Sequence, residues 1–102
     1  MTETVLSTNK IPIRLTDERW AHITDEHCEL AGLRLEVLET VTNPAKIFAG
    51  NAEELLAVRE VFSGKHLVVV YREFEKDGFI ITAFMTNKPQ SFDRRIKLWP
   101  SN

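Results

Sequence analysis

Leu55-Leu56-Ala57-Val58-Arg59-Glu60-Val61-Phe62-Ser63-Gly64-Lys65-His66-Leu67-Val68-Val69-Val70-Tyr71 is the stretch that decides the fold. Two runs rich in β-branched and apolar residues flank a short polar turn containing glycine, the pattern of a β-hairpin. Downstream, Glu75-Lys76-Asp77-Gly78 makes a second turn and residues 79–86 a further strand; upstream, Ile47-Phe48 supplies a fourth. Successive hairpins predict an antiparallel meander, since parallel neighbours would need long crossovers between consecutive strands.

Before the meander the pattern is helical. Thr16 is a good N-cap, and Asp17 and Glu18 place carboxylates in the first turn, where the helix dipole favours them. This helix is expected to run to about Cys28, with Gly32 as a break. A second fits residues 33–42, with Leu33, Val37, Leu38 and Val41 at helical spacing and Asn43-Pro44 as its stop. The expected class is therefore α+β, with two N-terminal helices packed on a four-stranded antiparallel meander sheet. Residues 1–12 are polar and read as a flexible leader, although Ile11-Pro12-Ile13-Arg14-Leu15 could form a short edge strand. Residues 13–88 form the domain, and residues 89–102 a basic-aromatic tail in which residues 94–99 could be a further strand or an arm on a partner chain; a segment tied down by Trp99 is favoured over an RNA-stacking arm.

Composition narrows the class further. The chain has 102 residues, enough for one core, with 43% hydrophobic and 27% charged residues, which argues against disorder. Thirteen basic against fifteen acidic residues leave a net charge of -2, so any nucleic-acid contact must come from a local basic patch. The single Cys28 cannot form an internal disulfide, the N-terminus lacks signal-peptide character, and no apolar run reaches a membrane-spanning length. A cytoplasmic protein is expected.

Candidate chemistry is sparse. On a wheel of the first helix, Trp20, Ile23, Thr24 and His27 share the core-facing side and His22 faces solvent. His27 lies near the helix C-terminus, where the dipole favours positive charge, a setting suited to a group that takes and returns a proton; it also reads as a structural core histidine. A three-residue loop at Ser63-Gly64-Lys65 puts Arg59 on the face of Tyr71, and either loop length at the next hairpin puts Thr82 there too. The opposite face, with Leu56, Val58, Phe62, Val68, Val70, Phe74, Phe79, Ile81 and Met85, is more uniformly apolar and is expected beneath the helices. No metal-ligand spacing, phosphate-cradling glycine loop or nucleophile elbow is present, and no cofactor is implied.

The order Trp20-Ala21-His22-Ile23, His27, Thr42-Asn43-Pro44, Arg59, Leu67-Val68-Val69-Val70-Tyr71 and Gly78-Phe79-Ile80-Ile81-Thr82-Ala83-Phe84 resembles small phage and bacterial nuclease domains of the barnase, EndoU, colicin-nuclease and RelE fold group. The resemblance implies a toxin-type endoribonuclease that needs no metal, in which a 2′-hydroxyl attacks the adjacent phosphate and leaves a cyclic product. It implies His27 or His22 as acid or base, Arg59 against the pentavalent phosphate and Thr82 on a phosphate oxygen. Tyr71, Lys88, Arg94 and Arg95 are supporting substrate contacts. RNA and a cognate antitoxin or immunity protein are the implied partners, with a homodimer through the tail as a further expectation. The alternative is an inactive RNA- or protein-binding module of the same fold.

Overall fold

In the computed structural model, which describes residues 1–100, strands β1 (Thr2–Leu6) and β2 (Pro12–Thr16) precede both helices. They pair antiparallel from Thr2↔Thr16 to Leu6↔Pro12 around a turn in which Lys10 adopts φ +67°. Much of the expected leader is thus a strand. Its Glu3 and Val5 are partly buried and alternate with exposed Thr2, Thr4 and Leu6, the period of a strand with one side against protein.

Helix α1 (Asp17–Glu26) begins where its cap predicts, with the Arg19 backbone N–H donating to Thr16 Oγ1 at 3.1 Å. A 3-10 turn (Cys28–Leu30) follows, and Gly32 at φ +82° redirects the chain into α2 (Arg34–Thr42). α2 ends at Asn43, where Pro44 cannot supply the next N–H. Strands β3 (Lys46–Ala49), β4 (Leu55–Phe62), β5 (Lys65–Glu73) and β6 (Gly78–Thr86) come next, then a 3-10 turn (Pro89–Phe92) and β7 (Lys97–Trp99).

The sheet is seven-stranded and mixed, in the order β1-β2-β6-β5-β4-β3-β7, which corrects the expected four-stranded antiparallel sheet with two N-terminal helices. The predicted meander forms its interior. The N-terminal hairpin extends it on one side and β7 on the other. β2 joins β6 in parallel through Ile13↔Gly78 and Arg14↔Phe79. The crossover that a parallel pair needs consists of everything between them, both helices and three strands, and so is invisible between consecutive strands. At this junction a Cβ on Gly78 would lie 2.1 Å from the Arg72 carbonyl oxygen and 2.7 Å from Ile13 Cδ1, so only glycine allows the three strands to meet.

Two irregularities set which side chains share a face. The β4–β5 hairpin turns through Ser63-Gly64 with Phe62 opposite Lys65, but the register shifts before Glu60↔His66. That leaves Val61 as an extra residue, a bulge that restores Arg59 to the face of Tyr71 despite the two-residue turn. In the β5–β6 ladder, Val70 pairs with Thr82 but Tyr71 pairs with Ile80. Ile81 is the extra residue here, and the strand turns over at it.

The helices cover the face carrying Ala57, Leu67, Val69, Tyr71, Ile80 and Ala83, which pack with Ile23, Leu30, Val37, Leu38, Val41, Ile13 and Leu15 in one core. This reverses the expected sidedness. The other face, called here the outer face, bears Leu56, Val58, Val68 and Phe48 under Phe92 of the second 3-10 turn. Both faces are apolar because each has its own cover, and greater apolarity therefore did not mark the helix side.

Candidate functional site

Arg59 and Tyr71 lie on the helix face, and their roles there are visible. Arg59 Nε donates to Thr40 Oγ1 at 3.3 Å and its terminal nitrogen reaches the Glu36 carbonyl at 3.5 Å, tying β4 to α2. Thr40 is fully buried and donates its own hydroxyl to the Glu36 carbonyl at 2.7 Å. The groove beside Arg59 is rimmed by Glu3, Glu36, Glu39 and Glu60, a field that repels phosphate. Tyr71 is 1% exposed, and burial, with the nearby Glu73 charge, pushes its phenol well above the ordinary range.

Thr82 stands on the opposite side. The bulge at Ile81 places it with Val70, so Arg59, Tyr71 and Thr82 do not converge, and the expected site built on the three together is corrected on this point. Its physical cause is the single unpaired residue in β6, which inverts the alternation on which the expectation rested.

The outer face collects a different set. His27, the C-cap of α1, is half-buried, and its ring centroid lies 6.1 Å from that of Phe84. Phe84 pairs with Val68 and shares its face with Thr82, two residues back along β6 and about 7 Å away by strand rise. His27 Nδ1 is 3.6 Å from the Glu29 carboxylate, a contact that biases the orientation of the ring. Next to the Val70–Thr82 pair, on the same side of β5, comes Arg72, whose guanidinium carbon is 5.1 Å from the Phe74 ring centroid. Glu54 follows one residue beyond the Leu55–Tyr71 pair. Its carboxyl is held below the usual range by the backbone N–H groups of Ala52 and Glu54 and, secondarily, by the Arg95 and Arg72 charges. The Glu54 carboxylate thus lies near enough to both guanidiniums to feel their charge.

The remaining candidates are dispersed. His22 is exposed on α1 and Arg94 is exposed beyond the second 3-10 turn. Lys88 is exposed too, its backbone N–H donating to Thr86 Oγ1 at 3.0 Å. Arg95 donates to Asn51 Oδ1 at 3.0 Å and to the Ala49 carbonyl at 3.4 Å, which fastens the tail to β3. The tail is therefore tied into the sheet as a further strand and not an arm: β7 pairs with β3 through Ile47↔Trp99 and Phe48↔Lys97. Arg72 was missed in the sequence. The signal that could have found it is its position one residue after Tyr71, which puts it with Val68 and Val70 by strand alternation.

Among the described residues no group of three or more His, Cys, Asp and Glu side chains converges as a metal site, and no helix is long and apolar enough to cross a membrane. No family model matches the chain, and no curated protein or solved structure matches it either.

Proposed function

We propose that the chain is an endoribonuclease of the toxin type that works on the outer face of its sheet, with His27 as proton acceptor, Thr82 on a phosphate oxygen and Arg72 in the place that the resemblance gave to Arg59. The observation that carries this reading is that His27 against Phe84, then Thr82, then Arg72 follow one another along one face of the sheet. An imidazole, a hydroxyl and a guanidinium are the groups that transesterification of RNA needs when no metal takes part. His27 removes the 2′-hydroxyl proton as O2′ bonds to phosphorus, Arg72 balances the charge of the pentavalent phosphate, and Thr82 donates to a non-bridging oxygen. The P–O5′ bond then breaks, O5′ takes a proton from water, and the products are a 2′,3′-cyclic phosphate and a 5′-hydroxyl. Phe84 offers a surface for the adjacent base.

The test is incubation of the purified full chain with an end-labelled RNA of mixed sequence in the presence of chelator. Cleavage leaving a cyclic phosphate is expected, with none on a 2′-deoxy copy, and His27→Ala should lower the rate by about 10² to 10⁴ while the thermal midpoint holds. Cleavage of the 2′-deoxy strand, or full activity in the His27 variant, refutes the mechanism. RNA binding without cleavage supports instead the inactive binding module. A toxin of this kind also implies a cognate antitoxin or immunity protein, detectable as a neighbouring gene whose product relieves growth arrest.

A further inference from the structure

On the helix side of the sheet a cavity of about 300 Å³ opens between the end of β5, the start of β4, β7 and the turn joining β1 to β2, a volume at the lower end for a small-molecule site. Leu55, Leu98 and Trp99 supply its apolar lining, and Asn9, Tyr71 and Glu73 its polar lining. Glu73 also holds the turn in place, its carboxylate accepting from the Ser7 hydroxyl and, at 2.8 Å, from the Asn9 side-chain amide.

Two observations point to a ligand. Tyr71 is 1% exposed and lines the cavity, yet its hydroxyl takes part in no side-chain hydrogen bond among the described residues. Buried hydroxyls are rarely left so unless something else satisfies them. The second observation is charge. Both donors to Glu73 are neutral, and among the described residues no cationic side chain lines the cavity or forms an ion pair with this carboxylate. Each of its oxygens makes one of these bonds and can accept another. The negative charge is close enough to Tyr71 to help push its phenol up, so one small group can meet both side chains.

We propose that this cavity binds a small organic ammonium ion, its N–H groups donating to the Glu73 carboxylate and the Tyr71 hydroxyl and its carbon chain lying against Leu55, Leu98 and Trp99. An ammonium is all donor and no acceptor, which matches a cavity that offers acceptors and a negative charge. An anionic ligand would meet like charge with no cation to offset it, and a neutral alcohol would leave the carboxylate uncompensated. The cavity lies on the opposite side of the sheet from His27, Thr82 and Arg72, so it goes beyond the ribonuclease reading and stands without it.

Titration of the full chain with n-butylammonium, n-butanol and butyrate, probes of nearly one shape that differ in charge, tests the site through the Trp99 indole and Asn9 side-chain amide resonances. Butylammonium should bind about 10-fold or more tightly than butanol, as expected for hydrogen bonds to a charged group, and butyrate should shift neither resonance. Tyr71→Phe keeps the packing and should weaken butylammonium by about 10-fold. Glu73→Gln, which retains an acceptor for the turn, should remove the preference over butanol. Should Glu73→Gln loosen the turn, Tyr71→Phe decides alone, since that hydroxyl supports no bond of the fold. Equal affinity for amine and alcohol, tighter binding of butyrate, or no saturable binding of the amine overturns the proposal. An amine preference that is undiminished in Tyr71→Phe does so too.

Discussion

The two faces of this sheet are built from the same strands, yet they put their polar side chains to opposite uses. On the helix side Arg59 bonds inward to Thr40 and Glu36 and is surrounded by carboxylates. On the outer side Arg72 rests against Phe74, close to the shared carboxylate of Glu54, with no helix above it. Sequence distance does not separate the two arginines, nor does residue type. What separates them is which side of the pleat each occupies, and hence whether its donors are consumed in holding the fold or left for a ligand.

The sharpest way to break this contrast is to cut equivalent side chains from the two sides of the sheet. Ile80 is 1% exposed in the helix-side core, so Ile80→Ala should cost about 2–5 kcal/mol in urea denaturation. Val70 is half-buried on the outer face, and Val70→Ala should cost about 1 kcal/mol, since less area leaves water and its surroundings can relax. Equal costs would mean that the outer face is covered as completely as the inner one.

The arginines provide the next comparison. Arg72→Ala should slow RNA cleavage by about 10², the usual loss for one charge-stabilising donor, and leave stability within about 0.5 kcal/mol. Arg59→Ala should do the reverse, lowering stability by about 1–2 kcal/mol through its lost bonds to α2 and leaving the rate per folded molecule unchanged. A rate loss on Arg59→Ala at full stability would return the site to the helix face.

The smallest effect concerns the hairpin that closes the helix side. Asp17 accepts from the N-terminal ammonium, and Arg34 bridges it at 2.9 Å and Glu3 at 2.6 Å. Those hydrogen bonds, to the N-terminus first and to Arg34 second, hold the Asp17 carboxyl below the ordinary aspartate range. A group depressed in the folded state contributes stability above its unfolded value, and that contribution fades as pH falls through the folded one. Amide exchange in β1 should therefore accelerate below about pH 4 before the central strands respond. Uniform acceleration across the sheet would show that the hairpin is not separately held.

Local signals in the sequence were sufficient for most elements. Thr16, Gly32 and Pro44 marked the helix boundaries, and Ser63-Gly64 and Asp77-Gly78 marked the hairpins, because capping and turning are decided within a few residues. The candidate site was less legible. Its sidedness depends on two bulges, at Val61 and Ile81, and neither residue differs in type from its neighbours. A bulge is fixed by what both adjoining turns of the strand must bury, here Ile80 and Ala83 together on the helix side, and that is a property of the packed molecule. β1 escaped for a related reason: Thr2-Glu3-Thr4-Val5 looks polar because only one of its sides meets protein.

A strand read in twos has the character of a reading frame, and the extra residue in β6 is a spare letter within it. Loss of the Ile81 codon would only straighten the strand, because Ile80 and Thr82 already face opposite ways and Ala83 and Phe84 would keep their partners and their sides, whereas loss of a codon from the middle of the regularly paired β5 would turn the rest of that strand over. Lineages of such a domain can therefore lengthen or trim its exposed turns freely. Within β5 they can exchange letters but not drop one, whereas β6 holds one letter to spare, and alignments that slide a gap into β5 would equate residues from opposite sides of the molecule.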